Sequence, residues 1–481
     1  MASCTFNAVP YVQELQEMPL NISIHPSLEI KQRANRDRGI FVKDNIASGT
    51  VLVKVPCSSL FCLDTLIEDN IYGLRSIVAD AVTLREDDVL AIALLHERFA
   101  RSADDPSKWA AHITILPRKR IHNAINLSND AVSQLQGSSL FAIVRQLQQQ
   151  VLSDFTELSA SPIQIAGTPL SKYDWWSVEN YEWALTQIHS RFISVPTGRG
   201  TELRKAMAPY FDLFNHSCQD PPMVTHGFVK DRPDGQNARG KCRASDEAGA
   251  LVILAQQALV AGDEIFLNYG PLGNLRLLQL YGFALPDNPY DSLDVWVTME
   301  PEAPHYAIKQ EAMARLGLCP PFLLTKKAPV VSPSLLAAVR IQRARDSADL
   351  KCLESALKGP LSSCNEKEAL NALHMALTAM RGQLDMRGGR KRMGLVETKQ
   401  ALGKVAMEGK RPLEPGEEEG NHAAIRMLAP GREDGDEEAE VVRLILESEY
   451  ELLGRGLETV RRLRGTLEIQ NGIEDKNTCD R

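Results

Sequence analysis

Leu251-Val252-Ile253-Leu254 and, beyond Ala261-Gly262-Asp263, Glu264-Ile265-Phe266-Leu267-Asn268-Tyr269 read as two strands joined across a glycine turn. β-branched and aromatic runs broken by Gly are what a half-buried pleated surface takes. Further back, Gly39-Ile40-Phe41-Val42, the turn-rich Asn45-Ile46-Ala47-Ser48-Gly49 and Val51-Leu52-Val53-Lys54-Val55-Pro56 carry the same signature. Between these two β regions, from about residue 75 to 195, apolar side chains recur at helical spacing, in Val89, Ile92, Ala93, Leu95 and His96 and again in Trp176, Trp183, Ala184 and Ile188. Strands, a helical insertion and strands again predict an α+β domain over residues 20–285 rather than a doubly wound sheet.

After about residue 300 the strand signals stop. Ser334 to Arg340 and Glu366 to Met380 are helical in composition, and a last amphipathic stretch sets Val442, Ile445, Leu446, Leu453, Leu457, Val460 and Leu463 on one face. An all-α C-terminal domain is expected over 286–481. Within it, residues 384–438 are rich in Gly, Glu, Arg and Lys, too polar to offset the entropy of ordering, so a disordered insertion is predicted. Its basic run Arg387-Gly388-Gly389-Arg390-Lys391-Arg392 reads more simply as a solvated loop than as a nuclear-localisation signal. No internal repeat points to a solenoid.

With 481 residues the chain exceeds what one core usually serves. Its 44% hydrophobic and 24% charged residues are ordinary for a folded protein. A net charge of −8 and a pI near 5.8 provide no overall basic field for nucleic acid or anionic lipid, and favour a basic protein partner. Met1 to Pro19, with Glu14 and Glu17, reads as neither a signal nor a transit peptide, and no apolar run reaches the ~18 residues of a membrane span. The nine cysteines form no CxxC pair, which argues against zinc clusters and disulfide frameworks and for a reduced cytoplasmic or nuclear setting.

Three segments carry the chemistry together: Asn35-Arg36-Asp37-Arg38-Gly39-Ile40, Asp212-Leu213-Phe214-Asn215-His216-Ser217, and Gly262 through Tyr269-Gly270. Gly39 has no Cβ to keep a ligand from the backbone. Asn215 offers amide donors and an acceptor to a purine edge, and Phe283 offers a flat face for stacking. These segments, with Trp109 through Leu116-Pro117, Ser190-Arg191 after Trp183, and Asn274, Leu277, Leu278 and Tyr281-Gly282-Phe283, resemble the SET-domain methyltransferases. Within them the match is to the branch of the Rubisco large-subunit lysine methyltransferases and their fungal and animal relatives. The resemblance covers roughly residues 20–285.

Membership would imply a SET β core with a helical insertion, followed by a helical domain that binds the protein substrate. It implies S-adenosylmethionine as cofactor, held by Arg38, Gly39, Ile40, Ser190, Arg191, Asp212, Asn215, His216, Tyr269 and Phe283. Tyr269 matches the catalytic tyrosine, while Asp212, Ile193 and Tyr281 match positions of the acceptor channel. The expected activity is lysine N-methylation of a non-histone protein, with a ribosomal protein or translation factor as target, by a monomeric enzyme that needs no metal, nucleic acid or membrane. A methyl group already activated on a sulfonium leaves positioning as the main task, and burial lowers the lysine pKa from its usual ~10.4.

Other readings compete. A non-catalytic SET-like interaction module would keep the shape without needing Tyr269, Asn215 and His216. Trp175, Trp176 and Trp183 read most simply as helix-packing anchors, and Arg191 as a salt-bridged arginine. His216 and Cys218, two apart in an extended stretch, should stand about 6–7 Å apart, too far for a nucleophilic pair. Zinc through His216, Cys218 and Cys242 lacks a fourth ligand. One departure matters: many relatives read Ser-Arg-x-Phe where this chain has Ser190-Arg191-Phe192-Ile193. A reshaped channel follows, which keeps histidine open as the acceptor.

Overall fold

A computed structural model of the chain describes residues 8–17, 20–32, 38–68, 84–100, 107–118, 121–165, 167–196, 203–230, 238–239, 249–388 and 434–479. Asn35, Arg36, Asp37, Cys242 and residues 389–433, with most of the basic run, lie outside them. Of the insertion expected over 384–438, the described flanks are helical: one helix runs Ser363–Gly388 and another Asp434–Cys479.

The two largest sheets among the described residues lie in the N-terminal part. One has the order Ser23–Ile24, Val51–Pro56, Gly249–Ala255, Val224–Lys230, Ala238–Arg239, antiparallel throughout. Gly249–Ala255 is almost continuously apolar because both its faces are covered. The other has the order Asn215–His216, Glu264–Leu267, Arg38–Val42, Leu28–Gln32. The two strands read as joined across Gly262 therefore do not pair with each other but belong to different sheets. Strands also resume earlier than expected, at Phe192–Pro196 and Leu203–Met207, which pair with each other, the second also with Phe61–Cys62. Arg204 and Lys205 break the apolar pattern that would have announced the second of these.

The expected insertion is helical in Glu86–Phe99, Ala110–Ile115, Asn129–Gln134, Ser139–Ala160 and Val178–Arg191. Ser128, Ser138 and Ser177 each accept a first-turn backbone N–H, satisfying donors that a helix start leaves open. Trp175, Trp176 and Trp183 are buried, Trp176 stacking on Phe155 and Trp183 donating to Pro117 O at 2.8 Å, as packing anchors do. A short helix at Ala8–Gln16 was not foreseen, and it buries Tyr11 and Leu15 against the same core.

The C-terminal part packs Pro333–Arg343, Ser363–Gly388 and Asp434–Cys479 around Leu335, Ile341, Leu370, Leu377, Leu453 and Val460. Arg340 forms a buried fork with Glu366, at 2.6 and 2.8 Å. One strand pair interrupts the helices, Ser292–Val295 with Phe322–Thr325. Phe322-Leu323-Leu324-Thr325 is a four-residue run closed by Lys326, too short to register as a strand beside the helical stretches around it.

The long last helix also returns to the N-terminal part: Val441, Val442 and Ile445 share a cluster with Leu127, Val132, Leu140, Leu275 and Leu278. Two carboxylates seal this joint. Glu438 accepts from the Ser128 backbone at 3.2 Å and lies 2.7 Å from His122 Nδ1. Glu449 accepts from the hydroxyls of Ser138 and Ser139 at 2.9 and 2.8 Å.

Candidate active site

A single sheet gathers the three chemical segments. Glu264–Leu267 pairs in parallel with Asn215–His216, setting Asn215 opposite Phe266 and His216 opposite Leu267. On its other side it pairs with Arg38–Val42, setting Ile265 opposite Ile40 and Glu264 opposite Phe41. Residues nearly two hundred apart in the chain thus become neighbours: Asn215 Nδ2 donates to Arg38 O at 2.9 Å and to Glu264 Oε1 at 2.8 Å. A Cβ on Gly39 would run into that Glu264 carboxylate and come within 3.2 Å of Asn215 Nδ2, so these two side chains can close over the backbone only because residue 39 is glycine.

Aromatic rings continue from this cradle. His216 stacks on Tyr269 with ring centres 4.9 Å apart, Tyr269 lies 4.8 Å from Tyr281, and Phe283 stands 6.0 Å from Tyr281 and 6.2 Å from His216. Tyr281 and Phe283 flank the end of helix Asn274–Tyr281, where Gly282 takes φ +80° and donates back to Leu277 and Leu278. A side chain at 282 would press on the His122 backbone at 3.1 Å as well as strain that conformation. Asn274 ties down the far end of the motif, exchanging hydrogen bonds with Leu285, Asp291 and Asn288.

The Tyr269 hydroxyl donates to Phe214 O at 2.7 Å, which leaves its oxygen lone pairs to accept from a ligand. Burial, with Tyr281 beside it, pushes this phenol well above its usual range, so it stays protonated at neutral and mildly alkaline pH. Burial likewise pushes Tyr281 up to about 12.

His216 is neutral, since burial pulls its pKa down to about 4. The Tyr269 backbone N–H approaches Nδ1 at 3.1 Å and can only donate, so Nδ1 accepts and the ring proton sits on Nε2. The 3.3 Å approach of Leu267 O to the same nitrogen is then a contact between acceptors. Nε2 faces Cys218 Sγ at 3.4 Å, which corrects the spacing argument. The backbone alternation that separates i and i+2 says little about where two side chains on one face can lean. The pair is still no nucleophile and base: Nε2 carries the proton, and burial raises the thiol pKa.

Behind the rings lies a buried polar cluster that the sequence did not disclose. His112 Nε2 is 3.1 Å from Asp212 Oδ2, and Arg191 reaches the same carboxylate at 3.4 Å and the Asp212 carbonyl at 3.2 Å. Burial alone would raise the Asp212 pKa, but His112 and Arg191 outweigh it and hold the carboxyl below its ordinary value. Its Oδ1 has no hydrogen-bond partner among the described residues. Tyr11 bonds His112 Nδ1 at 3.3 Å and accepts from the backbone N–H of Tyr210, which is held at φ +67°, a strained conformation for so large a residue. His112 lies between Trp109 and Ile113 in a buried helix phase, a signal that could have marked it. Nothing local marks Tyr11.

The remaining expected site residues are placed as follows. Arg38 turns its guanidinium onto Ile115 O, and the Ile40 side chain is fully buried. Ser190 donates to Thr186 O in its own helix, at 2.7 Å. Arg191 is the salt-bridged arginine weighed above. Ile193, half-buried, pairs with Ala206 beside the core. Among the described residues no group of three or more His, Cys, Asp or Glu is arranged to hold a metal ion, and no helix is long and apolar enough to cross a membrane.

Residues 300–385 match the family described as Rubisco LSMT substrate-binding. The fission yeast (Schizosaccharomyces pombe) ribosomal lysine N-methyltransferase set10 is 27% identical over 208 residues, 41% of this chain and 32% of its own. The actin-histidine N-methyltransferase of Rhinolophus ferrumequinum is 26% identical over 258 residues, 52% of this chain and 39% of its own. The chain thus spans about a third of the length of the curated relatives it matches. Among solved structures, the SET domain of LSMT bound to lysine and AdoHcy superposes with a TM-score of 0.68 at 17% identity, covering 95% of this chain and 92% of the other. Rubisco LSMT bound to AdoMet gives 0.65 at 16% identity, covering 96% and 93%. The chain therefore has the SET-domain fold of the Rubisco large-subunit methyltransferase type, with a segment matching that family's substrate-binding domain at residues 300–385.

Proposed function

We propose that the chain is an S-adenosylmethionine-dependent protein-lysine N-methyltransferase acting on a non-histone protein, with a ribosomal protein or translation factor as the target class. The observation that carries this reading is Tyr269: its ring stacks on His216, with Tyr281 tilted against it at 4.8 Å, and its hydroxyl is turned onto Phe214 O. A scaffold has no use for a phenol held in that way. The cofactor fits on an observation independent of any relative: the Asn215 amide spends both N–H hydrogens on Arg38 O and Glu264 Oε1, which leaves its Oδ1 to accept from a donor. Arg38, Gly39, Ile40, Ser190, Arg191, Asp212, Asn215, His216, Tyr269 and Phe283 are the residues proposed to hold it, with Asp212, Ile193 and Tyr281 lining the acceptor channel.

When bound, S-adenosylmethionine supplies a methyl group already activated on sulfur, and the protein's contribution is geometry and electrostatics. The Tyr269 oxygen, its hydrogen committed to Phe214, accepts from the acceptor amine and so orients the nitrogen lone pair. The aromatic walls disfavour the ammonium form of the acceptor. Tyr269 does not serve as the base, because burial keeps its proton in place.

Residues 20–285 form the catalytic unit in this reading, and 286–481 present the protein substrate. The enzyme acts as a monomer in the cytoplasm or nucleus. Histidine is a second acceptor, favoured by Ile193 standing where many relatives have an aromatic residue and by the actin-histidine relatives.

Incubating the purified chain with methyl-labelled S-adenosylmethionine and cell extract tests this. The expected product is a labelled protein that yields methyl-lysine on hydrolysis and is absent with Tyr269→Phe. Label in methyl-histidine establishes the second reading. No labelled protein, together with no cofactor binding by a folded chain, replaces both with an interaction module.

A further inference from the structure

Glu264 is not among the residues proposed above to hold the cofactor, yet it stands between two that are. Its strand is the middle of three, with Asn215–His216 on one side and Arg38–Val42 on the other. Its Oε1 accepts from Asn215 Nδ2 at 2.8 Å, while Arg38 O accepts from the same nitrogen at 2.9 Å. A primary amide has two N–H hydrogens, so both are committed. Turning the amide over would set its oxygen against a carboxylate and a carbonyl, two acceptors, which fixes which end is which. Oδ1 is then the atom of the Asn215 side chain that remains for a ligand, and a ligand meeting it must bring a donor. Gly39 belongs to the same device, since any Cβ there would displace the Glu264 carboxylate.

We propose that Glu264 is a positioning residue: it orients the Asn215 amide so that Oδ1 accepts from an N–H donor of the cofactor, its α-ammonium or its adenine amine. This rests on the function proposed above. The role belongs to the oxygen that Glu264 presents, so glutamine replaces it and alanine does not.

Calorimetric titration with S-adenosylmethionine across wild type, Glu264→Gln, Glu264→Ala, Asn215→Ala and the double alanine variant tests it, with thermal melts alongside. Glu264→Ala is expected to weaken binding about tenfold, as loss of a charge-assisted hydrogen bond does. Glu264→Gln should stay within about threefold of wild type. The double variant should bind no worse than Asn215→Ala alone, because a residue acting through another has no further effect once that partner is gone. A merely structural glutamate would instead lower the melting temperature and add its loss to that of Asn215→Ala. Additive losses, or wild-type affinity in Glu264→Ala, overturn this inference and leave the function standing. No binding by wild type overturns both.

Discussion

Asp212 and Glu449 are both buried carboxylates, one behind the candidate site and one where the last helix meets the N-terminal part, yet they are held in opposite ways. Asp212 faces His112 and Arg191, which hold its pKa below normal against the pull of burial. Glu449 receives only two hydroxyls, and burial pushes it up to about 7, with Asp291 and Asp294 adding to the rise. Equal removal from water thus gives a fixed charge in one place and a titratable group in the other, and the neighbours decide which. The site is built around a charge it never releases. The joint relies on apolar packing, and there burial keeps the proton on Glu449 against two hydroxyl donors that would favour its loss.

The comparison breaks most visibly at Asp212. Asp212→Asn leaves Arg191 without its buried counter-charge, which should cost about 3 kcal/mol or more and lower the melting temperature by several degrees. A variant that melts with wild type would place the network in effect on the surface. Tyr269→Phe removes one hydroxyl from the same region and should do the reverse, lowering methyl transfer about a hundredfold while stability stays within about 1 kcal/mol and cofactor binding holds. Parallel assays of turnover, melting and cofactor affinity separate the two cases.

Glu449 sharpens the other half. Its unfolded pKa is about 4.3, below the folded value of about 7, so the folded state holds the proton more tightly. The stabilisation is complete below the lower value and is lost as pH rises through the higher one. Wild type should therefore melt lower at about pH 8 than at about pH 5, and Glu449→Gln should flatten that slope and gain on the order of 2 kcal/mol at the alkaline end. An unchanged slope in the variant would assign the pH dependence elsewhere. The smallest effect is expected for Tyr11→Phe, which strips His112 and the Tyr210 N–H of a partner and should cost about 1 kcal/mol in chemical denaturation.

The sequence carried the α+β order, the helical C-terminal part and the residues of the three segments, because strand and helix periodicity and a few rare residue combinations are local signals. It did not carry how the segments meet. Parallel pairing of Asn215–His216 with Glu264–Leu267 joins strands some fifty residues apart and leaves no periodic trace in either. Tyr11 and His112 meet across 101 residues for the same reason. Strand Leu203–Met207 was hidden by its two basic residues. On the last helix the apolar face is as read through Val460, but Leu463 is 36% exposed, turned away from the core that Leu467 still touches. Side-chain reach was the other blind spot, as His216 and Cys218 show.

Cofactor binding is the most direct test of the central claim that this fold carries methyl-transfer chemistry. Calorimetric titration of the purified chain with S-adenosylmethionine, beside Asn215→Ala, should give saturable binding that the variant weakens measurably while keeping its melting temperature. A folded wild-type chain that binds none, or an Asn215→Ala variant that binds equally well, would contradict the account.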